Sequence, residues 1–288
     1  MSSQITPVRK SDKALLGILV GPAAVYLALF FVAPLLIVLV YSFLKRGAYG
    51  QLVCEFNLQN YVRVIDPLYL NILWRSTVMA AANTALCLLF SYPFAYTIAR
   101  TEDERRRNPL LILVMVPFWT NFLVRTYAWR VILGADGPLN GLLLALGLIR
   151  EPLPLIFNTG AVMVGLVYGY MPFMVLPLYA AIERLDFSLV EAAHDLYADG
   201  RQAFWQVILP LSMPGIIAGS ILVFIPSLGA FVTPDLLGGS KTVMIGNLIQ
   251  SQFLTARDWP FGSAFSMLLM LVVLAATLLY FRKGGRTL

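Results

Sequence analysis

Six apolar runs, each bounded by charged or turn-forming residues, decide what this chain can fold into. A bilayer core is crossed by ~20 apolar residues at 1.5 Å rise each. The runs cover about 15–43, 72–99, the stretch after Asn108 to Leu133, 160–182, the stretch after Pro214 to Thr233, and 261–281. The third run carries Arg125 and Arg130 in its second half. Of the 288 residues, 59% are hydrophobic and 12% charged, where a soluble domain carries about 25% charged residues. Too little polar surface remains to cover a water-facing globule, so water is not the main solvent. The expected architecture is all-α and integral to a membrane, with about six transmembrane helices. It comprises a short N-terminal segment at 1–14 and a helical domain at 15–288, with a cytoplasmic loop at 183–213.

The first run is far longer than the apolar core of a signal peptide, and no small-x-small cleavage site follows it, so it reads as a retained helix. Internal prolines interrupt five runs: Pro34, Pro93, Pro117, Pro172 with Pro177, and Pro226. They mark either hinges, whose freed carbonyls neighbouring helices or water re-satisfy, or the general tolerance of membrane helices for proline.

Orientation follows from the basic residues. With the N-terminus inside, the cytoplasmic segments hold Arg9, Lys10, Lys13, Arg100, Arg105, Arg106, Arg107, Arg184, Arg201, Arg282, Lys283 and Arg286, which is 12 of the 21 Lys and Arg. The density is about twofold higher than outside, which favours both termini in the cytoplasm. The net charge of +6 needs no nucleic acid. Arg105, Arg106 and Arg107 read as a topogenic patch facing lipid headgroups.

Several chemistries are excluded. Cys54 falls in the first external loop and Cys87 inside the second run, so no disulfide or metal site is expected. The one histidine, His194, lies in a cytoplasmic loop. No Asp or Glu lies within any run, whereas ion-coupled carriers commonly place ionisable groups at membrane depth. Nor does the chain carry a phosphate loop. Gly238-Gly239-Ser240-Lys241-Thr242 has Ser240 and Asp235 where that motif needs glycine, and no strand precedes it. An enzyme would gather carboxylates, His or Cys at one interface, and no such cluster exists in the sequence.

The longest cytoplasmic loop, 183–213, is the most informative segment. Ser188 to Glu191 has capping-box spacing, with Ser188 as N-cap and Glu191 reaching back. Gly200 is placed to end that helix. Ala192 and Ala193 permit close approach by another surface. A second short helix, about 201–208, is expected to stop before Pro210.

Glu191-Ala192-Ala193, followed by Leu209-Pro210, resembles the coupling loop of ABC importer permeases, which docks into a cleft on an ATPase subunit. One departure stands out: the family's usual glycine at the seventh position from the Glu is Tyr197 here. Either the turn shifts to Gly200, or Tyr197 fills a pocket on the partner. Further stretches resemble the spermidine/putrescine branch of that family: Pro117-Phe118-Trp119-Thr120-Asn121 through Tyr127-Ala128-Trp129, Pro172-Phe173-Met174-Val175-Leu176-Pro177, Leu236-Leu237-Gly238-Gly239 and Arg257-Asp258-Trp259-Pro260.

The resemblance implies a type I importer (MetI-like) bundle that is a transport subunit rather than an enzyme. It implies a bacterial inner-membrane location, no cofactor on this chain, and ATP with Mg on a partner ATPase dimer. It also implies a second homologous permease and an external solute-binding protein. A polyamine would be held by carboxylates at its amines and aromatic faces along its methylenes. Asp235 beside Phe231 matches an acidic position in the family pattern, and Trp119 and Tyr127 could line a pathway. Each also has a plainer reading, as a loop carboxylate or a packed aromatic. Asp258 and Trp259 are candidates for contact with the binding protein. Arg125 is either an inward-facing functional charge or the snorkelling end of an interfacial helix. Snorkelling is favoured, since a buried cation opposes a cationic substrate. Another importer cargo, such as an amino acid derivative, another organic cation or a metal chelate, would leave fold and coupling unchanged.

Overall fold

A computed structural model describes residues 20–284. The segment at 1–14, the start of the first run, Arg286 and the side chains of Arg282 and Lys283 lie outside the described residues. The elements in chain order are α1 (Val20–Ser42), a two-stranded antiparallel hairpin of β1 (Lys45–Arg46) and β2 (Leu52–Val53), and α2 (Gln59–Val64). There follow α3 (Pro67–Ala99), α4 (Glu104–Trp119), α5 (Phe122–Ile132), α6 (Pro138–Ala145) and α7 (Thr159–Glu183). The chain then continues through α8 (Ser188–Asp195), α9 (Gly200–Leu211), α10 (Met213–Leu228), α11 (Ile245–Leu254) and α12 (Trp259–Gly284).

By length and apolar composition α1, α3 and α7 can each cross a bilayer. Two more spans arise if the bent pairs α4–α5 and α9–α10 each count as one. The sixth expected run falls on α12, a helix of 26 residues. The third run is thus broken rather than continuous: α4 and α5 meet at 89°. The break has a local cause. Pro117 leaves a carbonyl unpaired one turn back, and the Asn121 side chain accepts a hydrogen bond from Leu123 N, capping a new helix inside the apolar run.

Two other prolines follow widened turns, while Pro93, Pro172, Pro177 and Pro226 sit inside α-helices. A π-helical stretch at Ala28–Val32 precedes Pro34, and another at Phe204–Ile208 precedes Pro210. Each places the missing N–H at a change of helical register. The expectation that the second loop helix stops before Pro210 is therefore corrected: α9 runs on to Leu211.

The chain divides into two compact units, one comprising residues up to Ile65 with Ser251–Ala276, the other Asp66–Gln250 with the residues from Thr277. In the larger unit α3, α7 and α10 pack against one another as a trio. Its interior holds Cys87 and Ala95 of α3, Met174, Leu178 and Ile182 of α7, and Val223 of α10, all 0% exposed. Lipid tails are as apolar as leucine, so close approach through small residues drives helix association. A Cβ on Gly215 would lie 2.5 Å from the Ala181 Cβ and 2.7 Å from the Pro177 carbonyl oxygen. The buried polar groups of the trio are paired: Asn83 Nδ2 donates to Ser227 Oγ at 2.7 Å, and the Cys87 thiol faces Asn83 Oδ1 at 3.7 Å.

In the smaller unit Asn60 Nδ2 donates to the carbonyls of Ser42 and Leu44, tying α2 to the end of α1. Arg63 pairs with Asp258 at 2.9 Å and lies over the Phe261 ring at 4.1 Å. Arg46 donates to the Ala256 carbonyl at 2.7 Å.

Candidate functional site

The loop after α7 is built from local hydrogen bonds rather than burial. Asp186 accepts from Ser188 N at 3.0 Å, and hydrogen bonds from Ser188 hold its carboxyl below the usual aspartate range. Ser188 is therefore the first residue of α8 and not its N-cap, which is Phe187 with no side-chain bond. The capping box expected at Ser188 and Glu191 does not form; the carboxylate two residues earlier has taken the role. A capping box does form one helix later, where Asp199 and Gln202 bond each other's backbone.

The turn between α8 and α9 centres on Tyr197. Its φ is +63°, the left-handed region that costs a residue with a Cβ about 1–2 kcal/mol. Ala198 N donates to Ala193 O at 3.0 Å and Tyr197 N to His194 O at 2.9 Å. That pair of bonds is a Schellman motif, usually completed by glycine at this position. Tyr197 thus takes up the backbone role of the glycine it replaces. The turn has not shifted to Gly200, which opens α9 instead of ending α8. The Tyr197 ring is 98% exposed, and Leu196 beside it 82%. Glu191 and Ala192 are exposed too, Ala193 is half-buried, and Leu209 and Pro210 continue α9 beyond its π turn. At the base of the loop Arg107 pairs with Glu183 at 3.5 Å, joining the starts of α4 and the end of α7.

The second region is the bend between α4 and α5. A cavity of about 370 Å³ opens there, lined by Phe118, Thr120, Phe122, Arg125, Tyr170 and Phe173 among others. Phe118 and Phe173 meet edge to face at 5.2 Å. The Arg125 guanidinium stands 6.0 Å from the Phe118 ring and 5.9 Å from that of Phe122. Its Nε and Nη1 are buried without a hydrogen-bond partner. Arg125 as a whole is half-buried, with its guanidinium against this cavity. Trp119 and Tyr127, singled out from the sequence, do not line this cavity and are 73% and 52% exposed. A larger, mostly apolar cavity of about 480 Å³ is lined by Pro93, Pro117 and Pro172, so prolines from three helices meet in one space.

Beyond α10, Asp235 is exposed on a π turn, Pro234–Gly238, and its N–H bonds the carbonyl of Phe231, whose ring is 42% exposed. Gly239 ends that turn with φ +55° and ψ −149°, a conformation reserved for glycine. This accounts for Gly239 without any phosphate, and at Gly238 a Cβ would lie 2.7 Å from the Thr242 Cβ. α5 packs against the turn, which puts Tyr127 and Asp235 on neighbouring elements.

Asp258 is 2% exposed and engaged by Arg63, so its assignment to binding-protein contact is corrected; its carboxylate is enclosed and paired within its own unit. Trp259 next to it remains 44% exposed. Cys54 is exposed and Cys87 buried, both as free thiols. Sequence reasoning missed the cavity at the bend. Asn121 ahead of an apolar run was the available signal, since Asn before such a run marks a helix start. Asp199 with Gln202 three residues on was likewise a readable capping box.

Comparison with known proteins bears on these regions. Residues 7–283 match the family described as "Binding-protein-dependent transport system inner membrane component". The spermidine/putrescine transport system permease protein PotB of Haemophilus influenzae is 45% identical over 260 residues, covering 90% of each chain. That of Escherichia coli K12 is 47% identical over 259 residues, covering 90% of this chain and 94% of its own. A bacterial alginate ABC transporter in complex with its oligosaccharide-bound periplasmic protein has a chain of the same fold, with TM-score 0.74 over 96% of both chains at 17% identity. With a match across nearly the whole chain and close to half the residues shared with such relatives, this protein belongs to the family of binding-protein-dependent transport system inner membrane components.

Proposed function

We propose that this chain is a transmembrane permease subunit of an ATP-driven importer for polyamines of the spermidine and putrescine type. The observation that carries the reading is the 45–47% identity to spermidine/putrescine permeases over nine-tenths of the chain. In this reading an external solute-binding protein delivers the amine to the outer loops, with Trp259 among the contacts. The chain crosses the inner membrane six times with both termini in the cytoplasm. A second, homologous permease completes the pathway between the two subunits, with Asp235, Phe231, Trp119 and Tyr127 of this chain facing it. ATP and Mg are held by a separate pair of ATPase subunits.

The coupling surface in this mechanism is the loop of Glu191, Ala192, Ala193 and Tyr197. Its exposure and its stiffening by caps at Asp186 and Asp199 suit a rigid element waiting for a partner. A ligand-driven switch needs contacts that differ between two states, so the ATPase must hold this loop differently with and without ATP. The test is ATPase activity in liposomes containing the full complex and binding protein, with and without spermidine or putrescine. Stimulation by the amine-loaded binding protein is expected, and Glu191→Ala should reduce it at least tenfold while leaving assembly in the membrane intact. Stimulation by a different solute alone would overturn the cargo, and wild-type coupling in the Glu191 variant would overturn the role of the loop.

A further inference from the structure

We infer that Arg125 receives a carboxylate side chain from the second transmembrane subunit, inserted into the cavity at the α4–α5 bend. The inference rests on the two-permease reading above and deepens it. Arg125 is half-buried, and its Nε and Nη1 are buried without a hydrogen-bond acceptor; such donors are expensive to leave unmet, and a charged donor costs more than a neutral one. The rings of Phe118 and Phe122 meet its face, yet an aromatic face does not satisfy N–H groups in the guanidinium plane. An anion with two oxygens would do so, because the planar fork matches a carboxylate.

The source of the anion follows by elimination. The runs of this chain contain no Asp or Glu, and none lines the cavity. A lipid phosphate sits at the headgroup layer. Trp119, at the bend, lies twelve residues beyond Arg107, about 18 Å along a helix axis, which is past the middle of a ~30 Å hydrocarbon core. A polyamine is itself a cation and supplies no carboxylate. The cavity holds about 370 Å³, room for an acidic side chain. What remains is a protein carboxylate at membrane depth, and intramembrane ionisable groups are found paired with one another. The pair also removes the electrostatic objection to a cation beside a polyamine pathway, since a neutralised Arg125 no longer repels the cargo.

The experiment uses the full complex. A photo-crosslinking residue at Thr120, which lines the cavity, should capture the second permease, and the captured peptide identifies its membrane-embedded Asp or Glu. Arg125→Gln should lower uptake at least tenfold and weaken recovery of the second permease with the tagged chain. Arg125→Lys, which keeps charge but loses the fork, should fall between. The charge swap, Arg125→Glu with the identified acid changed to Arg, should return uptake to within about threefold of wild type. Gel filtration of each variant chain alone separates loss of pairing from loss of folding. Capture of lipid only, unchanged uptake in Arg125→Gln, or failure of the swap with a well-folded chain would each overturn the inference. If wild-type complex contains no second transmembrane subunit, the two-permease reading fails and takes this inference with it.

Discussion

The trio of α3, α7 and α10 and the loop that joins α7 to α10 hold their shapes by opposite means. In the trio, helices approach until Gly215 has no room for a Cβ, and the few polar groups close on one another. In the loop, Tyr197 is 98% exposed and Leu196 82%, and the backbone is held by Asp186, Asp199 and the paired carbonyls of Ala193 and His194. Packing suits the part that must stay put inside lipid, where backbone and side chains have no water to turn to. Local capping suits a segment that keeps its shape with most of its side chains unburied.

The contrast can be broken first in the trio. Gly215→Leu would drive a side chain into Ala181 and the Pro177 carbonyl, and overpacking of this severity costs about 3 kcal/mol. Unfolding by SDS titration in mixed micelles should reveal the loss, and a variant as stable as wild type would show that the trio is not closely packed there. In the loop the expected sign reverses. Tyr197→Gly removes a left-handed strain of about 1 kcal/mol and should slow amide exchange at 196–198, although a contact surface is deleted. Tyr197→Val, β-branched at the same φ, should speed it. If Gly and Val exchanged alike, the left-handed turn would not be what sets the loop's shape. The smallest effect belongs to Asp186. Its carboxyl titrates below its unfolded value, so the stabilisation is fully present above the ordinary aspartate range and is lost as pH falls below that range through the lowered folded value. Exchange at the Ser188 amide should therefore quicken in acid, and Asp186→Asn should flatten that dependence.

Arginine makes a second contrast. Arg63 has its carboxylate in Asp258 and its ring in Phe261, whereas Arg125 has rings but no acceptor for Nε and Nη1. Both arginines were visible in the sequence, yet nothing near either one in the chain told them apart. Asp258 lies 195 positions from Arg63, a separation at which no local pattern operates. The same distance hid the fate of Asp258, whose neighbour Trp259 stays outside while its own carboxylate is enclosed.

Sequence alone determined the solvent, the helical class and most of the spans, because apolar run length is a one-dimensional quantity that a bilayer reads directly. It also determined that α8 and α9 form, since caps act over two or three residues. Even so, Asp186 rather than Ser188 supplies the side-chain acceptor, because it takes the N–H of Ser188 and so starts the helix one residue earlier than a Ser188 N-cap would, and the sequence does not rank the two registers. Tertiary structure decided what depends on neighbours distant in the chain. It gathered Phe118, Phe122, Tyr170 and Phe173 around the cavity that Arg125 lines, whereas the break at Asn121 was local and stood in the sequence. The physical reason is that helix rotation and close approach are set by which faces fit together, and a single sequence carries the faces but not their pairing.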